Sequence, residues 1–84
     1  MPTHDDQQRN DQLRKQRLEA IGYAIAVRRE RKNLSQAQLA RMLGYTGHAH
    51  LSRIESGKKA PSLEKLFEIA DILEVDVSRF FDDV

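Results

Sequence analysis

The sequence predicts an all-α protein, a compact domain of five helices. Apolar residues recur at spacings of three and four along several stretches, which is the pattern of helices with one buried face. No stretch shows the sustained two-residue alternation of a half-buried strand. Residues that start and stop helices separate the periodic stretches. With 84 residues, 39% of them apolar, the chain suffices for one small domain with a modest core.

The first predicted helix begins near Leu18 and ends just before Asn33. Ile21, Ala24 and Ile25 follow Leu18 at spacings of three and four, which places them on one face of the helix. Asn33 tolerates the left-handed conformation that closes a helix, so it predicts the helix end.

The segment before this helix is polar and carries no apolar period. We expect residues 1–12 to form a disordered or frayed extension, and residues 13–84 to form the ordered domain. The amino end lacks the apolar region of a secretory signal, and no apolar run is long enough to cross a bilayer. The chain has no cysteine, which excludes disulfides and thiolate metal sites. These observations predict a cytoplasmic protein with no membrane partner.

The second predicted helix has the most complete start signal in the chain. Ser35 is the expected N-cap, and Gln38, three residues on, completes a capping box. Leu34 and Leu39 have the spacing of a hydrophobic staple around that cap, and Gly44 ends the helix. The inward-facing residues are Leu39, Ala40 and Leu43.

The third predicted helix follows after a short corner, at about residues 47–56. Thr46 is its expected cap, Leu51 and Ile54 are its expected inward residues, and Gly57 is its expected stop. Its outer side is polar. Helices two and three therefore form a helix-turn-helix at about residues 35–56, and the second helix of such a unit enters the DNA major groove.

Two further helices complete the predicted fold. Ser62 caps the fourth, which supplies the largest group of apolar side chains. That group is Leu63, Leu66, Phe67, Ile69, Ala70 and Leu73. Asp76 caps a short last helix that contains Phe80 and Phe81. We expect part of the apolar surface of Phe80, Phe81 and Val84 to close the core and the rest to face a second copy of the chain.

The net charge of +1 is divided unevenly along the chain. Residues 21–60 carry eight basic and two acidic residues, whereas residues 61–84 carry two basic and seven acidic residues. A face that binds a polyanion, backed by a face that repels it, accounts for this division. A solvated surface that balances its own charge accounts for it equally well, so charge alone leaves both interpretations open.

Two stretches, LSQAQLARMLG and LSRIESGKKAPSLEKLFEIADILEVDVSRFF, resemble the phage-repressor/Cro (XRE) family over about residues 18–81. The matching positions are Gln36, Ala40, Gly44, Ile54, Glu55, Gly57 and the P-S-L-x-x-L motif at 61–66. This resemblance implies a five-helix domain that binds double-stranded DNA sequence-specifically, as a homodimer on a palindromic operator. It further implies a transcriptional regulator, with repression as the expected role.

One departure from the family lies between helices two and three. The letters YTGHAH place six residues between Gly44 and Leu51, where family members usually have five. Counting back from Leu51 predicts one base-facing set: His48, Ala49, His50 and Arg53. Counting forward from Gly44 predicts another: Gly47, His48 and Ala49. We adopt the backward count, because Leu51 and Ile54 determine which side of the helix faces the core.

The expected DNA contacts extend beyond that helix. In the family, the residue matching Gln36 anchors a phosphate at a helix N-terminus, although a polar residue there can serve the helix start alone. Arg53 is an expected guanine reader, or else an ordinary surface arginine. Lys58 and Lys59 are expected phosphate contacts, or else a solvated corner. The full expected set is Ser35, Gln36, Thr46, Gly47, His48, Ala49, His50, Ser52, Arg53, Lys58 and Lys59.

Two residue pairs could suggest a metal site or acid–base catalysis in place of DNA binding. His48 and His50 form an H-x-H pair, but residues two apart on a helix point in different directions and no carboxylate or thiolate lies nearby in sequence. We therefore expect no metal and no cofactor. Arg29 and Glu55 match family positions that pair inside the domain, and we interpret them as a structural ion pair, because one carboxylate facing an arginine has no partner for proton transfer.

An enzyme is not expected, because the sequence has no nucleophile and base constellation, no paired carboxylates and no glycine-rich phosphate loop. The remaining alternative is a protein-binding antitoxin or adaptor that uses the same fold to hold a regulatory protein partner. The short acidic C-terminal segment is compatible with that role. Co-purification with a partner would favour it over DNA binding.

Overall fold

The computed structural model of the protein describes residues 4–84. Its elements in chain order are α1 (His4–Arg31), α2 (Gln36–Met42), α3 (Ala49–Glu55), α4 (Leu63–Leu73) and a 3₁₀ helix (Val77–Phe81). No strand occurs among these residues. The prediction of an all-α fold is therefore confirmed. The count of five helices is not confirmed, because residues 4–84 form four α-helices and the fifth element is a short 3₁₀ helix.

The first helix begins much earlier than the periodic pattern predicts. It starts at His4 and not near Leu18, so residues 4–12 are helical and do not form a disordered extension. The part of that prediction concerning residues 1–3 lies outside the described residues. The side chains from residue 7 to residue 17 are exposed, which means that this part of α1 projects from the domain.

Local interactions account for the helical extension. Asp5 and Asp6 lie in the first turn, where negative charge interacts favourably with the helix dipole. The Gln7 amide donates to Asp11 at 3.2 Å, one turn further on. Such contacts favour a helix without producing an apolar stripe, so a search for apolar periodicity does not detect this part of α1.

The predicted caps of α2 and α4 are present. The Ser35 hydroxyl accepts from the Gln38 N–H at 3.0 Å, and the Gln38 side chain accepts from the Ser35 N–H at 2.7 Å, which completes the capping box. The Ser62 hydroxyl accepts from the Lys65 N–H at 3.1 Å. Asp76 caps the 3₁₀ helix in the same way, with its carboxylate accepting from the N–H two residues on.

The predicted cap of α3 is wrong. Thr46 does not cap α3, which begins at Ala49 with His48 in the cap position. His48 has a helical backbone and makes no capping hydrogen bond. The six residues between Gly44 and Leu51 leave room for a bend at residues 46–48 before the first helical turn, so the helix starts later than residue 47.

The core draws on every helix and on the 3₁₀ helix. Its buried apolar residues are Ile21, Ile25, Leu39, Ala40, Leu43, Leu51, Ile54, Leu66, Ile69, Ala70, Leu73 and Phe80. Leu63 and Phe67, which the sequence pattern assigns to the apolar group of α4, are exposed instead. They lie one turn apart on a face that α4 does not present to the core.

A close approach between α1 and α3 sets the position of α3. A Cβ atom at Gly22 would lie 2.4 Å from the carbonyl oxygens of Ile54 and Glu55. At the end of α3, a Cβ at Gly57 would lie 2.7 Å from the backbone nitrogen of Glu19. Only glycine therefore allows the two backbones to pack at this distance. The sequence pattern does not identify Gly22, because the contact involves residues far apart in the chain.

Candidate nucleic-acid interface

The outer side of α3 is determined by its buried side. Leu51 and Ile54 are both buried, as their spacing predicts, so this side of α3 faces the core. Ala49 and Arg53, one turn apart, are exposed on the opposite side, and Ser52 beside them is half-buried. Arg53 makes no ion pair with any residue that the structure describes, so its guanidinium is available to an external partner.

The bend before α3 and the loop after it flank this outer side. Thr46, Gly47 and His48 are exposed in the bend. Lys58 and Lys59 are exposed in the loop, and neither ammonium pairs with an acidic group in the described chain. Their backbone N–H groups both donate to the Arg53 carbonyl, at 2.9 and 3.2 Å, which ties the loop to the end of α3. Two cations without an acidic partner among the described residues therefore lie at the C-terminal end of α3.

His50 lies on the flank of α3 and not on its outer side. Its ring is half-buried and stacks on Tyr45, with ring centroids 4.4 Å apart and planes inclined by 4°. The pKa of His50 is lowered by desolvation and, to a lesser degree, by the cations of Lys59, Arg53 and Lys65. The sequence pattern places His50 with the base-facing residues and gives no sign of this stack.

A buried ion pair joins the end of α1 to the end of α3. The Arg29 Nε donates to Glu55 at 2.7 Å, and its Nη2 donates to the other carboxylate oxygen at 3.0 Å. The Arg29 Nη1 also donates to the Leu34 carbonyl at 2.8 Å. The side chains of Arg29 and Glu55 are only 10% and 6% exposed. The hydrogen bond to Glu55 raises the pKa of Arg29 despite the opposing effect of burial.

Gln36 takes part in the same network. Its side-chain amide donates to Glu55 at 2.9 Å, which connects the first residue of α2 to the last residue of α3. The family resemblance predicts a phosphate contact for Gln36 and gives no sign of this hydrogen bond. Ser35, next to it, uses its hydroxyl to cap α2. The start of α2 is thus held against the end of α3 by side-chain contacts.

Two other classes of site are not found in the described chain. Among residues 4–84, no three histidine, cysteine, aspartate or glutamate side chains lie close enough to hold a metal ion. No helix within that range is long and apolar enough to span a membrane.

Comparison with known proteins agrees with this geometry. The profile of the helix-turn-helix family matches residues 25–80, a range that includes α2, α3, α4 and the buried ion pair. The chain belongs to the XRE-type helix-turn-helix family. In this helix-turn-helix protein, α2 and α3 are the two helices of the motif, and the residues from Leu43 to His48 are its turn.

Two relatives of this helix-turn-helix protein show how far the similarity extends. An uncharacterized HTH-type transcriptional regulator, y4aM, of Sinorhizobium fredii is 36% identical over 64 residues, which cover 76% of this chain and 44% of the relative. The ImmF control region 10 kDa protein of Bacillus phage phi105 is 34% identical over 58 residues, which cover 69% of this chain and 63% of the relative. In both cases the similarity spans less than two thirds of the relative.

Proposed function

We propose that this protein binds double-stranded DNA sequence-specifically and regulates transcription, with α3 in the major groove. One observation carries the proposal: the buried Leu51 and Ile54 turn Ala49 and Arg53 outward, beside a loop whose cations have no acidic partner among the described residues. Membership in the helix-turn-helix family and similarity to an HTH-type transcriptional regulator support the same function. No catalytic role is proposed.

The proposed contacts are of two kinds, contacts to base edges and contacts to phosphates. Arg53 reads a guanine through its O6 and N7 atoms, and His48 and Ala49 contact neighbouring base edges. Lys58 and Lys59 contact phosphates. One amide proton of Gln36 is bonded to Glu55, and the other donates to a phosphate. The remaining proposed contacts are Ser35, Thr46, Gly47, His50 and Ser52. The DNA-binding unit in this proposal comprises residues 13–84.

The proposed assembly is a homodimer on a palindromic operator, acting as a repressor in the cytoplasm. Phe80 is buried, whereas Phe81 and Val84 remain 38% and 50% exposed, which leaves apolar surface at the end of the chain for a second copy. Similarity to a protein of a phage control region is consistent with a role in repression.

A salt titration tests the proposal of duplex binding. If each subunit contacts about four to six phosphates, log K should fall with log salt concentration at a slope of roughly −0.9 per contact. Lys58→Gln should reduce the magnitude of the slope by about one contact, because it removes one phosphate-binding cation. Arg79→Gln is the matched control, since Arg79 lies in the acidic C-terminal segment and pairs with Asp82 at 3.7 Å. A response that is flat in salt, measured by fluorescence anisotropy, would refute electrostatic binding of DNA by this protein.

A further inference from the structure

The imidazole of His50 is held in place but has no hydrogen-bond partner. It is half-buried and stacked on Tyr45, yet neither ring nitrogen forms a hydrogen bond with any residue that the structure describes. The stack fixes the plane of the ring and leaves its nitrogen-bearing edges uncovered. A fixed polar group of this kind is ready to bind an external partner.

The charges that face His50 are mostly positive. Arg53 approaches from α3, Lys59 from the loop after α3, and Lys65 from the first turn of α4. Together with His50, these cations form a basic cluster. Two carboxylates of α4 interact with it through Lys65: Glu68 pairs with the Lys65 ammonium at 3.0 Å, and Glu64 interacts with that ammonium at longer range. The cluster therefore has an excess of positive charge, which favours an anion.

Lys65 connects the cluster to the turn of the motif. Its ammonium donates to the Leu43 carbonyl at 3.2 Å and lies 5.0 Å from the centroid of the Tyr45 ring. The Leu43 and Glu68 contacts occupy two of its three protons, which leaves one for a ligand. Lys59 is exposed and makes no ion pair with a described residue.

A cleft of about 320 Å³ lies between the His50 ring and the side chains of Lys59 and Lys65. His50, Tyr45, Lys59, Ser62 and Lys65 line it, with apolar atoms of Ile54 and Pro61 among the remaining walls. Because one water molecule occupies about 30 Å³ in the liquid, the cleft has room for a hydrated oxyanion. Because His50 and Ile54 belong to α3, the cleft borders the helix that also carries Ala49 and Arg53.

We propose that His50, Lys59 and Lys65 form a phosphate-binding site in this cleft, with Tyr45 as the positioning residue that holds the His50 ring. This inference rests on the proposed function and deepens it, because it assigns His50 to the DNA backbone and leaves base reading to the outer side of α3. It also adds Tyr45 and Lys65 to the binding surface. The ligand chemistry is a phosphate oxyanion, supplied by a DNA phosphodiester.

The site makes binding depend on pH in a defined direction. In the free protein, burial and the surrounding cations keep the pKa of His50 below its usual value of 6.5. A bound phosphate favours the protonated ring and raises that pKa, so the protein takes up a proton on binding. Affinity should therefore increase as pH falls through the pKa of the complex, and should level off below the pKa of the free protein.

The test follows the titration of the His50 ring by NMR in the full chain, free, with inorganic phosphate, and with duplex DNA. Duplex DNA should move the His50 midpoint up by about one pH unit. If the duplex binds, as seen by anisotropy, and the His50 midpoint does not move, the site is wrong and the proposed function stands. If no duplex binds, the proposed function is wrong. In that case, a His50 midpoint raised by inorganic phosphate would show that the cleft binds free anions. A His50 midpoint that inorganic phosphate leaves unchanged would overturn the proposed site.

Variants separate the role of each side chain. His50→Gln should abolish the pH dependence of binding, whereas His48→Gln, which removes a proposed base contact two residues away, should lower the affinity and retain the pH dependence. Lys65→Gln should weaken binding about three- to tenfold for all duplex sequences alike, since a charge-assisted contact to a phosphate carries no sequence information.

Tyr45→Ala should reduce the pH dependence of binding. Tyr45→Phe should keep the pH dependence of the wild type, because phenylalanine preserves the stack on His50. Loss of affinity in His50→Gln for the preferred sequence alone would place His50 at a base edge and overturn the assignment.

Discussion

Replacement of Glu55 by alanine should lower the free energy of unfolding by about 3–5 kcal/mol, the usual cost of removing one partner from a buried ion pair. The variant leaves the buried Arg29 guanidinium with only its longer contact to the exposed Glu30 carboxylate, and it removes the acceptor of the Gln36 amide. A domain of this size has a total stability of only about 5–15 kcal/mol, so the variant should be largely unfolded at moderate urea concentrations. Urea denaturation followed by circular dichroism measures the change.

Glu30→Ala is the matched control for this variant. Glu30 also pairs with Arg29, at 3.8 Å, but its side chain is solvent-exposed. Surface pairs of this kind contribute about 0–1 kcal/mol, so the control should be close to the wild type. Equal losses in the two variants would contradict the structural role assigned to Glu55.

Replacement of Gly22 by alanine should be almost as damaging, for a steric reason. The added methyl group would lie 2.4 Å from two carbonyl oxygens of α3, and backbone atoms cannot move aside as the end of a flexible side chain can. Overpacking typically costs about 1–3 kcal/mol, and contact with backbone atoms on both sides places Gly22→Ala at or above the upper end of that range. The gain in helix propensity from glycine to alanine, about 1 kcal/mol, offsets only part of the loss. The shift in thermal midpoint measures the net effect.

Gly47→Ala provides the comparison for Gly22→Ala. A Cβ at Gly47 would meet no atom within 4 Å, and that residue lies in an exposed bend. Its stability should stay within about 0.5 kcal/mol of the wild type, as for most surface substitutions. If Gly22→Ala were as stable as Gly47→Ala, α1 and α3 would not pack as closely as the structure shows.

The features predictable from sequence are those that depend on local interactions. The capping box of Ser35 and Gln38 and the caps of α4 and the 3₁₀ helix involve residues two or three apart, and they are present where predicted. Asn33, Gly44 and Gly57 adopt the left-handed backbone conformation that ends the first three helices. The apolar spacing of Leu51 and Ile54 likewise identifies the buried side of α3. Each of these signals is complete within about one helical turn.

The features that sequence reasoning missed depend on contacts between distant segments or on helices without an apolar stripe. The helical start of α1 at His4 rests on charge and polar pairs and produces no apolar period. The Gln36 hydrogen bond to Glu55 and the stack of Tyr45 on His50 become visible only when α3 has been placed against its neighbours.

Selection of bound sequences from random duplex DNA, performed with the wild type and with Arg53→Ala, tests the central claim most directly. The wild type should recover one motif with two inverted half-sites, as a homodimer with α3 in the major groove requires. Arg53→Ala should lose preference at one base pair in each half-site and bind the wild-type motif about 1–3 kcal/mol more weakly. Recovery of no motif by the wild type, or an equal loss by Arg53→Ala on the motif and on scrambled duplexes, would contradict base reading by this face of α3.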